Sequence, residues 1–220
     1  FCQDKILTTG GEGGMLTCND ERLWERAWRY KDHGKSPSVR LGKQKSGQNF
    51  RWLHEQFGMN FRMSEMQSAI GRVSLRRLPS WLQKRRDNAN VLNDILSRVL
   101  LFRIPKPPLY VHHAYYKYYF HLNGVDEQIE PLREHLMKSM SGNSIKLSVG
   151  SCSEIYREKA FDSLPIRTVK LPMATELTKT TMMLPCDPTY TTNDMVLIGE
   201  TIVAEIKCYE RNLAVGQCKG

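Results

Sequence analysis

Lys5 is the residue whose type and setting point first to chemistry. It stands in the run Phe1-Cys2-Gln3-Asp4-Lys5-Ile6-Leu7-Thr8-Thr9-Gly10-Gly11-Glu12-Gly13-Gly14. A lysine amine becomes a nucleophile, and then a proton carrier, where burial beside apolar or cationic groups lowers its pKa. The glycines permit positive φ and let backbone approach backbone or a ligand closely. The run is not a nucleotide P-loop, since no Gly-Lys-Ser/Thr follows it. On residue types alone, a solvated lysine beside a glycine loop remains the simpler reading. A second block, Phe57-Gly58-Met59-Asn60-Phe61-Arg62-Met63-Ser64-Glu65-Met66-Gln67-Ser68-Ala69-Ile70-Gly71, carries Asn60 and Arg62 just ahead of a capped helix. By themselves these two read as turn and surface residues. Glu12 reads as a residue that fixes the glycine loop through amide contacts, and His33 as a dipole partner at a helix end.

The elements that must position these residues follow from pattern. The glycine loop runs into a short apolar segment, Met15 to Cys18, which reads as a strand. Asn19 or Asp20 then caps a helix with Leu23, Ala27, Trp28 and Tyr30 on its apolar face, and Gly34 stops it. Residues 35–49 are polar and basic, with Pro37, Gly42 and Gly47, and read as a long mobile loop. Ser64 and Gln67 form a capping box. Met66, Ala69, Ile70 and Val73 recur at helical spacing up to Pro79, and a second helix with Leu82, Ala89, Leu92, Ile95, Leu96 and Val99 follows.

Pro105, Pro107 and Pro108 mark a change of organisation, placing a domain boundary near residue 104: 1–104, then 105–220. Beyond it the pattern predicts strands at 115–122, 145–149 and 182–184. It predicts a helix over 126–140 with Ile129, Leu132, Leu136 and Met140 inward, and a short helix after Pro172. A last helix, capped by Thr192 or Asn193, carries Val196, Ile202 and Ile206 on one face. Alternating strands and helices predict an α/β fold with a small sandwich layer.

Composition bounds the function. Of 220 residues 40% are hydrophobic and 25% charged, the balance of an ordinary globular chain. No apolar run approaches the roughly 20 residues of a membrane-spanning helix, and no signal peptide follows Phe1. Because the chain opens directly on a site-like motif, it reads as a fragment of a longer protein. Six cysteines and six histidines lack ligand spacing, so free thiols in a reducing cytoplasm are expected, and no metal. The net charge of +9 favours anionic partners or is simply a solvated basic surface. No nucleic-acid signature accompanies it.

Two blocks carry a resemblance. Lys5 followed by Thr8-Thr9-Gly10 and Glu12-Gly13-Gly14-Met15, then Thr17-Cys18-Asn19-Asp20 and a helix ending Asp32-His33-Gly34, resembles the DegT/StrS-like aminotransferases of nucleotide sugars. Gly58 to Ala69 is similar to that family's Gly-x-Asn-x-Arg-Met-x-Glu-x-Gln-x-Ala block, in the same order after the lysine. The likeness is strong over residues 1–86 and looser at 113–119, at Leu171-Pro172, and from Leu184-Pro185 onward. It implies an α/β fold, the C-terminal part of a fold-type I pyridoxal-phosphate (PLP) aminotransferase: the end of the large domain with a helical elbow, then a small α/β domain. Lys5 would be the Schiff-base lysine, catalytic and cofactor-binding. Asn60 would bind the cofactor phosphate across a homodimer, Arg62 would lie near the same anionic region or the substrate, and Tyr118 would border the sugar-nucleotide cleft.

The implied activity is transfer of an amino group, typically from glutamate, to a nucleotide-linked keto sugar, by a cytoplasmic homodimer without nucleic-acid or membrane partners. The family's front half is absent from this sequence, and with it the residues that stack on the cofactor ring, so this piece alone is expected to be inactive. The segment Gly150-Ser151-Cys152-Ser153-Glu154-Ile155-Tyr156 departs from the family, where many relatives carry His-Tyr, and leaves the sugar open. Two other readings stand: a non-catalytic remnant or interaction module of the same fold, and a PLP-dependent sugar dehydratase, which the intact Lys5 disfavours.

Overall fold

A computed structural model describes residues 1–40, 54–150, 154–165 and 169–217. The chain divides into two compact units, residues 1–78 and 79–220. The division falls earlier than residue 104, because the helix before that point gives Ala89, Leu92 and Leu96 to the core of the second unit. Among the described residues, no helix is long and apolar enough to cross a membrane.

In the second unit three antiparallel strands lie in the order β1 (Phe102–Arg103), β2 (Tyr118–Leu122), β3 (Thr181–Leu184). The central strand pairs Phe102 with Leu122 on one side, and Tyr118 with Leu184 and Phe120 with Met182 on the other. Alternation puts Tyr118, Phe120 and Leu122 on the buried face. Against them pack Leu92 and Leu96 from the long helix α3 (Glu65–Leu96), and Ile129, Leu132, Leu136 and Met140 from α4 (Asp126–Gly142). Met195, Ile198, Ile202 and Ile206 from α6 (Thr192–Gln217) complete the core. All four residues expected inward on α4 are buried, as their helical spacing requires. Helix α5 (Pro172–Thr180) begins with proline at its first turn and runs directly into β3, the position where a missing N–H costs nothing.

Several expectations are corrected. The two helices separated at Pro79 are one helix of 32 residues, α3, with the proline inside it. A proline forfeits one helical hydrogen bond, but the apolar stripe beyond it, with Ala89, Leu92 and Leu96 fully buried, keeps the following turns helical. Residues 145–149 make an isolated bridge, Ser148 with Met183, rather than a strand. The cap of α6 is Thr191, whose hydroxyl accepts from the Asp194 amide at 3.2 Å while Asp194 Oδ2 accepts from the Thr191 amide at 2.7 Å. Val196 is 40% exposed; Met195 and Ile198 take the inward positions.

In the first unit, α1 (Glu21–Lys31) is capped by Asp20, whose Oδ1 accepts from the amides of Arg22 and Leu23 at 2.8 and 3.1 Å. The helix ends in a turn with His33 at φ 57° and Gly34 at φ 78°. Residues 15–18 are irregular, not a strand. Within the expected loop at 35–49, a short helix α2 (Pro37–Arg40) forms, and 41–49 lie outside the described residues. Among the described residues of this unit, those buried are Thr9, Asp32, Gly34, Ser36, Pro37 and Ser74. None belongs to the hydrophobic core, which lies wholly in the second unit.

Candidate functional site

The turn that ends α1 and the chain ahead of α3 are clasped backbone to backbone. Met59 N donates to Tyr30 O at 2.6 Å, Phe61 N to Lys31 O at 2.9 Å, and His33 N to Met59 O at 3.0 Å. Asp32 and Asn60 form an antiparallel bridge. Two glycines make this approach possible. A Cβ at Gly34 would stand 1.6 Å from Gln56 O, and one at Gly58 would stand 2.5 Å from Gly34 N and 2.6 Å from Arg29 O. His33, expected to serve at the helix end, sits in this turn.

The clasp brings together two side chains from the two motif blocks. Arg62 Nη1 donates to Asp32 Oδ1 at 2.5 Å, and Lys35 Nζ lies 3.7 Å from the same oxygen. Asp32 is 1% exposed, whereas 41% of the Arg62 side chain faces solvent. Burial alone would raise the Asp32 pKa. The Arg62 hydrogen bond, with the charges of Lys35, Arg62 and Lys31, outweighs it and holds the carboxyl below its ordinary value. Asn60 is exposed beside this pair.

The lysine loop is anchored by Thr9, which is 1% exposed. Its amide donates to Phe1 O at 3.1 Å, and its hydroxyl lies 3.4 Å from both Phe1 O and Glu12 O. Gln67 serves two ends of one amide. Its Oε1 accepts from the Ser64 amide at 3.0 Å, closing the capping box, and its Nε2 donates to Glu12 O at 2.7 Å. Glu12 thus meets α3 through its carbonyl. The α3 surface under the loop is small where it must be: a Cβ at Gly71 would come within 3.0 Å of the Thr9 methyl. Lys5 itself is exposed at the loop's bend, its amide donating to Cys2 O at 3.2 Å.

Tyr118 is a correction. It is 1% exposed in the core of the second unit, and its hydroxyl donates to Asn93 Oδ1 at 2.9 Å. Burial raises its pKa far above the usual phenol value. A side chain so enclosed does not border a ligand cleft; Tyr119, on the other face of the strand, is the exposed one, at 37%. Of the departing segment 150–156, residues 151–153 lie outside the described residues. Glu154 is buried and accepts from Tyr156 Oη at 2.6 Å, Thr175 Oγ1 at 3.0 Å and Arg157 Nη1 at 3.1 Å. These bonds, the Tyr156 one foremost, keep its pKa low.

A family model described as the DegT/DnrJ/EryC1/StrS aminotransferase family matches residues 1–203. The chain belongs to this family. Its sugar-aminotransferase relatives include a dTDP-4-dehydro-2,3,6-trideoxy-D-glucose 4-aminotransferase of Saccharopolyspora spinosa, 30% identical over 84% of this chain and 45% of the relative. A GDP-perosamine synthase of Escherichia coli O157:H7 is 26% identical over 92% of this chain and 49% of the relative. Among solved structures, an aminotransferase from Psychrobacter cryohalolentis is 38% identical with a TM-score of 0.83, over 96% of this chain and 55% of that one. The chain thus spans about half the length of the relatives it matches. Its fold is the α/β C-terminal part of a fold-type I aminotransferase, as the likeness in sequence implied.

Aminotransferases of the DegT family depend on PLP. The donors in the first unit fit an aldehyde that carries a phosphate: a primary amine on Lys5, an exposed amide on Asn60, and an exposed guanidinium on Arg62. Sequence reasoning quoted Asp32 only as part of a motif and overlooked its partnership with Arg62. Its spacing from Arg62, 30 residues away on a different element, gave no local signal of that pairing.

Proposed function

We propose that the protein bearing this chain is a PLP-dependent transaminase that moves an amino group, from glutamate, to a keto sugar linked to a nucleoside diphosphate. It acts as a cytoplasmic homodimer in sugar-nucleotide and polysaccharide biosynthesis, with no nucleic-acid or membrane partner. The carrying observation is that the glycine loop of Lys5 is tied to the Ser64–Gln67 capping box by the Gln67 to Glu12 hydrogen bond of 2.7 Å. Two sequence blocks quoted as separate signals are therefore one physical platform.

PLP, when bound, supplies an electron sink for the bond that breaks. The chain's own residues do the rest. Lys5 would hold the cofactor through its Nζ amine, and that same amine, when free, would be the base placed to carry a proton. Asn60 would offer its side-chain amide to a phosphate oxygen across the dimer. Arg62 supplies a fixed positive charge to the same anionic region or to the substrate's diphosphate, where a planar guanidinium gives directional hydrogen bonds. The buried Thr9 and the Gln67 bond hold the loop so that Lys5 returns to one place after each turnover.

The test is borohydride reduction of the full-length protein with PLP, followed by peptide mass mapping. A pyridoxyl label on Lys5 is the expected result. A folded, full-length protein labelled elsewhere or not at all would sink the reading and leave a scaffold that has kept the motif.

A further inference from the structure

From the clasp of the first unit we infer that Asp32 is a positioning residue, which aims the Arg62 guanidinium, and through its backbone bridge Asn60, at a phosphate group. This rests on the transaminase reading, in which Arg62 and Asn60 face an anion. Three observations carry it. Asp32 is 1% exposed, so its carboxylate does not itself meet a ligand. It bonds Arg62 Nη1, while 41% of the Arg62 side chain stays open to solvent. Its backbone is bridged to Asn60, so one residue fixes both donors by two different means, a charge-assisted hydrogen bond and a backbone pairing.

The physical need is plain. An arginine side chain carries about 2 kcal/mol of rotamer entropy, which binding must otherwise remove. Tethering one nitrogen in advance leaves the rest of the guanidinium pre-aimed, and preorganisation of this kind raises affinity without adding a contact. A carboxylate covered from water suits the task because solvent does not compete for the oxygen that Arg62 holds. A negative charge beside an anion site would be harmful if exposed; here Lys35 at 3.7 Å shares the same oxygen and offsets it. Gly34 and Gly58 let the two backbones touch beside Asp32, which places it opposite the chain that leads to Arg62.

The phosphate could be the cofactor's or the substrate's, and the experiment separates them. In the full-length apoprotein, the affinity for PLP is divided by that for pyridoxal, which lacks phosphate; separately, inhibition by UDP and dTDP is measured on the holoenzyme. A general loss of folding lowers both members of the first ratio alike, so the ratio reads phosphate recognition alone. Arg62→Ala should lower one of the two readouts about 10-fold, the size of a lost charge-assisted bond. Asp32→Asn should lower the same readout by a comparable factor, and the double variant should be no worse than Arg62→Ala, because the two act as a unit. If Arg62→Ala changes neither readout, the placement of Arg62 in the transaminase reading fails. If Arg62→Ala acts and Asp32→Asn does not, or the effects multiply, the positioning role fails and Asp32 is structural. Should Asp32→Asn not fold, Asp32→Glu decides: it keeps the charge but displaces it by a methylene, so a several-fold loss is expected and an unchanged readout overturns the inference.

Discussion

The two units of this chain are held together by different physics. Residues 79–220 bury a continuous set of hydrophobic side chains, from Ala89 to Ile206. Residues 1–78 instead bury Thr9, Asp32 and Ser36, and none of their described side chains belongs to the hydrophobic cluster. The second unit gains its stability from apolar area removed from water. The first gains its shape from backbone pairing, two glycines, a capping box and an ion pair on one buried carboxylate.

The sharpest break of this comparison is a matched pair of phenylalanine truncations. Phe120→Ala, at 0% exposure between Phe102 and Tyr118, should cost about 3–5 kcal/mol, read by urea unfolding. Phe57→Ala, fully exposed in this chain, should change stability by no more than about 0.5 kcal/mol. A large effect at Phe57 would show that the first unit has a hydrophobic core after all.

Next in size is Gly34→Ala. Its φ of 78° would strain any side chain, a cost of about 1–3 kcal/mol, and the clash with Gln56 O adds to it. Hydrogen exchange should speed at the amides of Met59 and Phe61 and stay unchanged at Phe120 and Leu122. Exchange rising equally in both units would mean that the clasp does not govern the first unit by itself.

Tyr118→Phe removes only a hydroxyl bonded to Asn93. It should cost about 1 kcal/mol and leave the KM for the sugar substrate of the full-length enzyme unchanged. A raised KM would return Tyr118 to the substrate site.

The smallest effect is expected from pH. The Asp32 carboxyl titrates below its ordinary value, facing Arg62, Lys35 and Lys31. A lowered folded pKa contributes stability that is fully present above the unfolded value and is lost as pH falls through the folded one. Acid titration should therefore loosen the clasp only below the ordinary carboxylate range, and Asp32→Asn should flatten that dependence in the amide exchange of Met59 and Phe61. Persistence of the same acid transition in the variant would assign it to another carboxylate.

Much of this protein was determined by sequence acting locally. Helical spacing fixed Ile129, Leu132, Leu136 and Met140 inward, strand alternation fixed Phe120 and Leu122, and Ser64 with Gln67 closed their cap, because each depends on neighbours three or four residues away or on a period of two. The lysine loop and the Asn60–Arg62 block were legible only through their resemblance to a family, since their residue types alone read as a solvated lysine and as turn residues. Tertiary structure decided the rest. Pro79 lies inside α3 because burial of the residues beyond it outweighs one lost hydrogen bond. Tyr118 is closed in the core rather than open to a cleft because what packs on the sheet face, not the residue type, says which side is buried. Asp32 became an anchor for Arg62 only where two glycines 24 positions apart let their backbones touch. Local pattern shows which residues could meet on one element; which distant elements close on one another is settled by packing.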